Sequence, residues 1–430
     1  MKIKNLHKLF LTCNSICTDT RTINKDDLFF ALKGEHFNGN KFAEIAITKG
    51  AKYAVVDEEE YVINSDYILV DDVLNTLQQL ARYNRKQLNL KIIALTGSNG
   101  KTTTKELINC VLQKKYKIIA TRGNLNNHIG VPLTLLSMDE NTEIGIVEMG
   151  ANHLKEIEFL CDITNPDFGY ITNFGKAHLE GFGSIEGVIK GKSELYIHLK
   201  LNDKIIFINK DDVIQTKQLE DYKNHYSFGS SDKSPQVHIK FIEANPFVHI
   251  KYNGLTIKSR LIGDYNFSNI SAAIAIGNYF EVNDLDIKSA IEAYSPENNR
   301  SQIIEKGSNK IILDAYNANP TSMKAALLNF EKQKNTQKIA ILGDMFELGN
   351  ETEKEHQYIV DLASTMLLDK VILIGEHFLK TKIVSPKVIA FKSFEDFKEV
   401  FDVTQIKNAI LLIKGSRGMA LERVLDLLWT

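Results

Sequence analysis

"IIALTGSNGKTTTKELI", residues Ile92 to Ile108, decides the fold. An apolar run ends at Thr96, a turn with two glycines follows, and Lys101, Thr102 and Thr103 open a helical pattern. In that order, strand then glycine turn then helix, backbone N–H groups converge on phosphate oxygens and the positive end of the helix dipole faces them. Gly97, Ser98, Asn99 and Gly100 make the turn, with Thr103 inside the helix start. Lys101 is placed to neutralise β- and γ-phosphate charge, and the Thr102 hydroxyl to hold Mg²⁺. The usual pattern has a further glycine where Leu95 stands, so this is a shortened phosphate loop. A tight strand–helix connection without ligand is the plain alternative. The strand before it and the helix after it favour a nucleotide.

Outward from this stretch, short apolar runs alternate with longer helical patterns. "KIIALT" precedes a helix near 102–115, "EIGIVEM" one near 153–161 and "DFGYITN" one near 184–199, with "KIIFIN" following. This is the rhythm of a mostly parallel sheet covered by helices. It breaks at "FVHIKYNGLTIKSRL", where Asn253-Gly254 between two alternating runs predicts a hairpin with a type I′ turn. Helical patterns at 265–280 and 284–294 follow, and the polar "SPENNRS" (Ser295–Ser301) marks a boundary. A second series then starts with "KIILDAY", "KIAILGDM", "KVILIGE", "VIAFKS" and "NAILLIKGS". The first ninety residues hold only short apolar runs and one helix near 73–90. The expectation is an α/β protein of three domains. They are residues 1–90, a central phosphate-loop domain with a mostly parallel sheet at 91–298, and a Rossmann-like α/β domain at 299–430.

The bulk numbers agree with that division. A chain of 430 residues is too long for one ordinary core. A net charge of −2 gives no reason to expect nucleic acid as a partner. Cys13, Cys17, Cys110 and Cys161 are scattered. The Cys13/Cys17 spacing suits a metal pair, but no second pair follows, so plain packing is expected. The N-terminus has basic residues without a sustained apolar core, and no run approaches the roughly 20 residues of a membrane helix. A cytoplasmic protein is expected.

Two further strand ends point toward the phosphate loop. "GIVEMGA" leaves Glu148 at the end of a buried strand, where an unpaired carboxylate is expensive. "ITNFGKAHLEGFGS" leaves His178 in a glycine-rich loop after the next one. Ligands of α/β sheets bind beyond the carboxyl ends of strands, which brings Thr102, Glu148 and His178 together as a metal cluster. His178 alone reads as a satisfied loop residue.

"TGSNGKTT", "EMGA", "NFGKAHLEGFGS" and "KGKSELY" together resemble the Mur ligase superfamily, ATP-dependent amide-forming enzymes of peptidoglycan synthesis. The resemblance implies ATP and Mg²⁺, with Lys101, His178 and Lys192 at the reacting centre and Lys192 carbamylated. A carbamate is an anionic oxygen ligand, whereas a cationic lysine repels Mg²⁺. From the sequence alone Lys192 reads as a solvated helix residue.

"DAYNANPTSM" (Asp314–Met323), "GNLNNHIGVPLTLL" (Gly123–Leu136) and "LIKGSRGM" (Leu412–Met419) resemble the dipeptide-adding branch. That implies UDP-N-acetylmuramoyl-tripeptide and D-alanyl-D-alanine as substrates, and a monomer without membrane insertion. "TDTRTINKDDLFFALKGEHFNGNKFAEIAITKGA" (Thr18–Ala51) resembles the family's domain for the UDP end. The resemblance then sets Thr20, Arg21, Lys33 and Gly34 near the UDP-sugar, and Asn126 and Asn127 by the muramoyl-peptide. It sets Asn266, Asn269, Arg300 and Asp314 at the adenine nucleotide, and Asn317, Asn319, Lys414, Ser416 and Arg417 toward the peptide carboxylate or incoming dipeptide. His128 departs from the acidic residue expected in "GNLNNEIGVP".

Each residue also has a plain reading. Asn266 and Asn269 can cap a helix, Asp314 can satisfy a turn, "NANP" can be a connection, and Arg417 a solvated charge. The competing functions are another ligase of the superfamily, including the folate type, a phosphate-loop switch or motor, and a non-catalytic nucleotide-binding module. No residue stands out as a general base.

Overall fold

A computed structural model describes residues 1–231, 234–297, 299–334, 337–402 and 406–428. Asn298, inside the expected boundary segment, lies outside the described residues.

The Lys91–Thr96 strand lies in the middle of a nine-stranded sheet, between Phe168–Ile171 and Ile144–Glu148. Its interior residues Ile92, Ile93, Ala94 and Leu95 are all fully buried. That is why the strand reads as a continuous apolar run instead of an alternating one. Successive side chains go to opposite faces. Ile93 and Leu95 pack with Leu107, Ile108 and Val111 of the helix Lys101–Leu112. Ile92 and Ala94 share the other face with Val188, Leu195 and Leu199 of the helix Ile185–Leu201. Pairing is parallel, with Leu95 opposite Glu148 and Thr96 opposite Ile171. Three strands therefore finish level, and the loops after Thr96, Glu148 and Ile171 leave the same edge.

Farther out, the sheet ends in the expected hairpin, Phe247–Tyr252 against Leu255–Ile262. Asn253 and Gly254 have φ of 45° and 79°, the pair of positive angles a type I′ turn requires. Val237–Ala244 adds a third antiparallel strand there, which the sequence pattern does not mark.

Two other sheets flank this one. The N-terminal sheet has four parallel strands in the order Ile16–Cys17, Leu28–Phe30, Tyr53–Val56, Tyr67–Leu69. The helix Val73–Gln87 follows it, capped by the Asp72 carboxylate accepting from Asn75 N–H. The C-terminal sheet has six strands, five of them parallel, with Gln302–Lys306 antiparallel at one edge. Its register puts Asp314 beside Lys414 at the carboxyl ends of neighbouring strands. The helix Pro320–Glu331 then starts on Asn319, whose side chain accepts from Ser322 N–H, with proline as first residue.

Candidate active site

The phosphate loop owes its shape to two glycines. Gly97 has φ of 140°, and a Cβ there would lie 2.0 Å from Thr172 Oγ1. Gly100 has φ of 78°, and its Cβ would lie 2.7 Å from Asn269 Oδ1. Neighbouring loops fix the turn between them. Ser98 Oγ donates to Gly175 O at 2.9 Å, and Asn99 N–H donates to Asn173 Oδ1 at 3.1 Å. Lys101 Nζ folds back on Gly97 O at 2.7 Å. Burial lowers its pKa, the Glu148 carboxylate opposes that shift, and Arg300 adds to it.

Thr102 Oγ1 donates to Glu148 Oε2 at 2.9 Å, and Asn126 Nδ2 donates to Glu148 Oε1 at 2.9 Å. Glu148 is 1% exposed, so these partners supply what water would otherwise provide. Lys192 is also fully buried, which corrects the solvated reading. Its Nζ donates to Ala151 O at 2.9 Å and lies 5.0 Å from the Phe182 ring centroid. Burial holds its pKa well below the ordinary lysine range, and the nearby Lys101 charge pushes the same way. Position 192 lies four residues after Val188 and three before Leu195, so helical spacing had already placed it in the apolar stripe.

These groups open onto a cleft of about 960 Å³ walled by the central and C-terminal sheets. Of the sequence-predicted residues it brings together Ser98 to Thr103, Asn126, Asn127, Glu148, His178, Asn266 and Asn269. From the C-terminal side come Arg300, Asp314, Asn317, Asn319 and Lys414. Lys414 Nζ, almost fully buried, donates to Asp314 Oδ2 at 2.6 Å and to Asn317 O at 3.2 Å. The Arg300 guanidinium stacks 3.6 Å from the Tyr316 ring centroid. Asn269 is wedged between Thr104 and Asn266, through hydrogen bonds of 3.0 and 2.8 Å, and so braces Gly100.

Other predicted residues lie outside the cleft wall. Lys192 sits behind Ala151, and Gly97 behind the loop it bends. Ser416 is buried and takes Phe346 N–H on its hydroxyl, while Arg417 pairs with Glu422 at 2.8 Å in an exposed position. In the N-terminal sheet, Arg21 grips Asp19, whose carboxyl it holds down to about 2. Thr20 O accepts from Lys49 Nζ, and Lys33, in a short hairpin with Gly34, pairs with Asp57 at 3.0 Å.

Several contacts that join the two walls went unnoticed in the sequence, and with them the residues Lys176, Thr321, Glu347 and Glu355. Asn319 Nδ2 donates to Asn99 Oδ1 at 2.7 Å across the cleft. Lys176 N–H donates to Thr321 Oγ1, and its Nζ pairs with the buried Glu355 at 2.5 Å. His178 Nδ1 meets Glu347 Oε2 at 2.5 Å, a contact that lowers the Glu347 pKa. The signal for Glu347 was a polar turn, "GDMFELG", directly after a buried strand. Among the described residues no three or more His, Cys, Asp and Glu side chains form a metal-binding group, and no helix is long and apolar enough to cross a membrane.

A glycine turn with its lysine, a buried Thr–Glu pair and a second sheet closing over them define a nucleotide-binding α/β protein of the phosphate-loop class. Comparison with known proteins narrows that class. The Mur ligase middle domain matches residues 95–277, the Mur ligase, glutamate ligase domain residues 299–417, and the Mur ligase family, catalytic domain residues 12–85. The chain belongs to the Mur ligase family. It is 36% identical over 426 residues to the UDP-N-acetylmuramoyl-tripeptide--D-alanyl-D-alanine ligase of Bacillus subtilis, covering 96% of this chain and 92% of that one. The Escherichia coli protein of the same name is 30% identical over 96% of this chain and 93% of its own. Among solved structures, a crystal structure of MurF from Acinetobacter baumannii superposes with a TM-score of 0.87 at 30% identity, covering 100% of this chain and 98% of that one. The MurF ligase of Thermotoga maritima in complex with ADP gives 0.83 at 27% identity, with 97% of each chain covered.

Proposed function

We propose that this chain is an ATP-dependent ligase that joins D-alanyl-D-alanine to the terminal carboxylate of UDP-N-acetylmuramoyl-tripeptide. It would work in the cytoplasm as a monomer, consistent with both cleft walls coming from one chain. The assigned division is residues 1–90 for the UDP-sugar, 91–298 for ATP and 299–430 for the incoming dipeptide. The observation that carries the reading is the phosphate loop with Lys101 and the buried Thr102–Glu148 pair at the floor of a cleft roofed by Asp314, Asn319 and Lys414.

The tripeptide carboxylate is a poor electrophile until its charge is removed. It attacks the γ-phosphoryl group of ATP, which gives an acyl phosphate and ADP. The dipeptide amine then adds to the acyl carbon, and phosphate leaves. The first step brings two anions together, so Lys101 supplies charge neutralisation and Gly97 to Thr103 hold the phosphates in line. Burial is the main cause of the lowered pKa values of Lys101 and Lys192, with the Arg300 charge adding to it at Lys101 and the Lys101 charge adding to it at Lys192.

Thr102 and Glu148 offer one hydroxyl and one carboxylate, a set that fits a hard cation carried in on phosphate oxygens. Bound Mg²⁺ would polarise the γ-phosphoryl group. Lys192 is buried and electrically disfavoured as a cation, which suits reaction of its neutral amine with CO₂ to give a carbamate. Asn266, Asn269, Arg300 and Asp314 are assigned to the nucleotide, and Asn126 and Asn127 to the muramoyl-peptide. Asn317, Asn319, Lys414, Ser416 and Arg417 are assigned to the carboxylate and dipeptide, and Thr20, Arg21, Lys33 and Gly34 to the UDP-sugar. Closure of the C-terminal sheet keeps water from the acyl phosphate.

The test is acceptor-dependent phosphate release from UDP-N-acetylmuramoyl-tripeptide and ATP. D-Alanyl-D-alanine should support it, and single amino acids should not. Equal release with no acceptor would leave an ATPase.

A further inference from the structure

Two residues without glycine's freedom adopt left-handed backbone where the walls meet. His178 has φ of 54° and Glu347 has φ of 62°, angles that residues other than glycine rarely adopt. They are partners. His178 Nδ1 meets Glu347 Oε2 at 2.5 Å, and Glu180 N–H donates to Glu347 O at 3.0 Å. A carboxylate only accepts, so Nδ1 carries the hydrogen and Nε2 is the ring nitrogen left to face a ligand. Nε2 has no hydrogen bond among the described residues.

The turn that presents Glu347 is itself fixed. Met345 N–H donates to His356 Nε2 at 3.0 Å, and Phe346 N–H to Ser416 Oγ at 2.8 Å. Ser416 N–H in turn donates to Asp344 O at 3.1 Å. His356 is fully buried with Nδ1 on Thr352 O at 2.7 Å, so its Nε2 is committed as acceptor. Strain at both partners, in a turn anchored from behind, is the pattern of a contact maintained for function.

We propose that Glu347 is a positioning residue for His178. By holding Nδ1–H it fixes the tautomer and ring orientation that leave Nε2 for the cation–phosphate group, and it does so only when the C-terminal sheet is docked. This rests on the reading of His178 as a metal-site residue. The class of ligand is a divalent cation carried on a nucleoside diphosphate or triphosphate. Glu347 makes that ligand's site complete in the closed arrangement alone, so that cation binding and closure reinforce each other.

The test uses the full chain with ring-¹⁵N histidine, ADP, and Mn²⁺ as the probe cation. In the unaltered protein the His178 signal should report Nδ1–H and broaden on adding Mn²⁺. Glu347→Gln keeps an acceptor and should keep both the tautomer and most of the Mn²⁺ affinity. Glu347→Ala should lose the tautomer signature and weaken Mn²⁺ binding about 10- to 100-fold, with kcat falling while KM for the dipeptide holds. The proposal is overturned if Glu347→Ala changes neither signal nor affinity, or if Glu347→Gln fails as badly as Glu347→Ala, which would make the charge itself a ligand. It is also overturned if only KM for the dipeptide rises, which would put Glu347 on the acceptor amine. His178→Ala with undiminished Mn²⁺ affinity defeats the metal-site reading instead, and the Nδ1–H signature of the unaltered protein separates that failure from the first.

Discussion

Replacing Gly100 with alanine tests the phosphate loop most directly, because the chain carries a matched control. Gly100 and Gly254 have φ of 78° and 79°. Alanine at either position pays the left-handed cost, about 1 kcal/mol. Around Gly254 nothing lies within 4 Å of the added Cβ, so Gly254→Ala stops there. At Gly100 the Cβ would sit 2.7 Å from Asn269 Oδ1 and 3.0 Å from its Nδ2. Asn269 is buried and has no room to yield without giving up its bonds to Thr104 and Asn266. At about 1 kcal/mol each, those two bonds add roughly 2 kcal/mol to the burden of Gly100→Ala. A loop relieved of that strain must be pulled back by the nucleotide, so ADP affinity should fall roughly thirtyfold. Calorimetric titration with ADP reads this, with Gly254→Ala expected to bind as the unaltered chain does. Adding Asn269→Ala to Gly100→Ala gives the methyl its space, so the two losses should fall short of their sum by more than 0.5 kcal/mol, roughly the scatter of independent sites. Equal ADP affinity in the two alanine variants, or strict additivity in the pair, would refute the claim that Asn269 sets the loop.

Lys101→Ala should abolish acceptor-dependent phosphate release while binding of the UDP-sugar substrate, measured by calorimetry, survives. Lys192→Ala should lose turnover and regain part of it in millimolar-range formate or acetate, small acids that refill an anionic position; a titration of rate against acid concentration checks this. Lys192→Met should melt higher than the unaltered chain at pH 7 in CO₂-depleted buffer. The folded-state pKa of Lys192 is depressed, so the unfolded chain binds the extra proton and the unaltered protein gains stability as pH rises toward about 10.5. Melting curves from pH 7 to 10 should therefore converge.

What the sequence made legible was whatever lies along one element. Strand, glycine turn and helix in Ile92–Ile108, the Asn253-Gly254 hairpin and the burial of Glu148 each follow from local periodicity or from the cost of an end-of-strand carboxylate. Lys192 was legible in principle, since it shares a stripe with Val188 and Leu195, but a lysine in "KGKSELY" reads as charge before it reads as position. Contacts between distant elements leave no such trace. Asn99 and Asn319 are 220 residues apart and neither breaks a pattern. Glu347 drew no notice in the sequence, because the partner that gives it meaning belongs to the other sheet. The short strand Ile118–Ala120 was missed for a similar reason, as only its edge pairing with Ile144–Glu148 makes it a strand.

The same division between local and distant contacts bears on how the cleft works. The walls are joined by polar contacts, among them Asn99 with Asn319, Lys176 with Glu355 and His178 with Glu347, and by a buried apolar cluster that includes Phe174, Leu179 and Phe182 on the central side and Met345 and Leu348 on the C-terminal side. Lys176 and Glu347 are half-exposed, which limits what their pairs contribute, whereas Glu355 is buried and would be left without its partner if Lys176 moved away. Two further apolar clusters stay within the central and the C-terminal sheets respectively. On the proposed function, ligands that touch both walls would favour the closed arrangement by their differential affinity for it. On the proposed assignment, a triphosphate meeting Lys101 below and a peptide carboxylate meeting Lys414 above would make such a difference. Buried interactions thus shape each wall and also tie the two together at one side of the cleft. On the proposed function, the cleft they enclose is where the acyl phosphate would be made and kept from water.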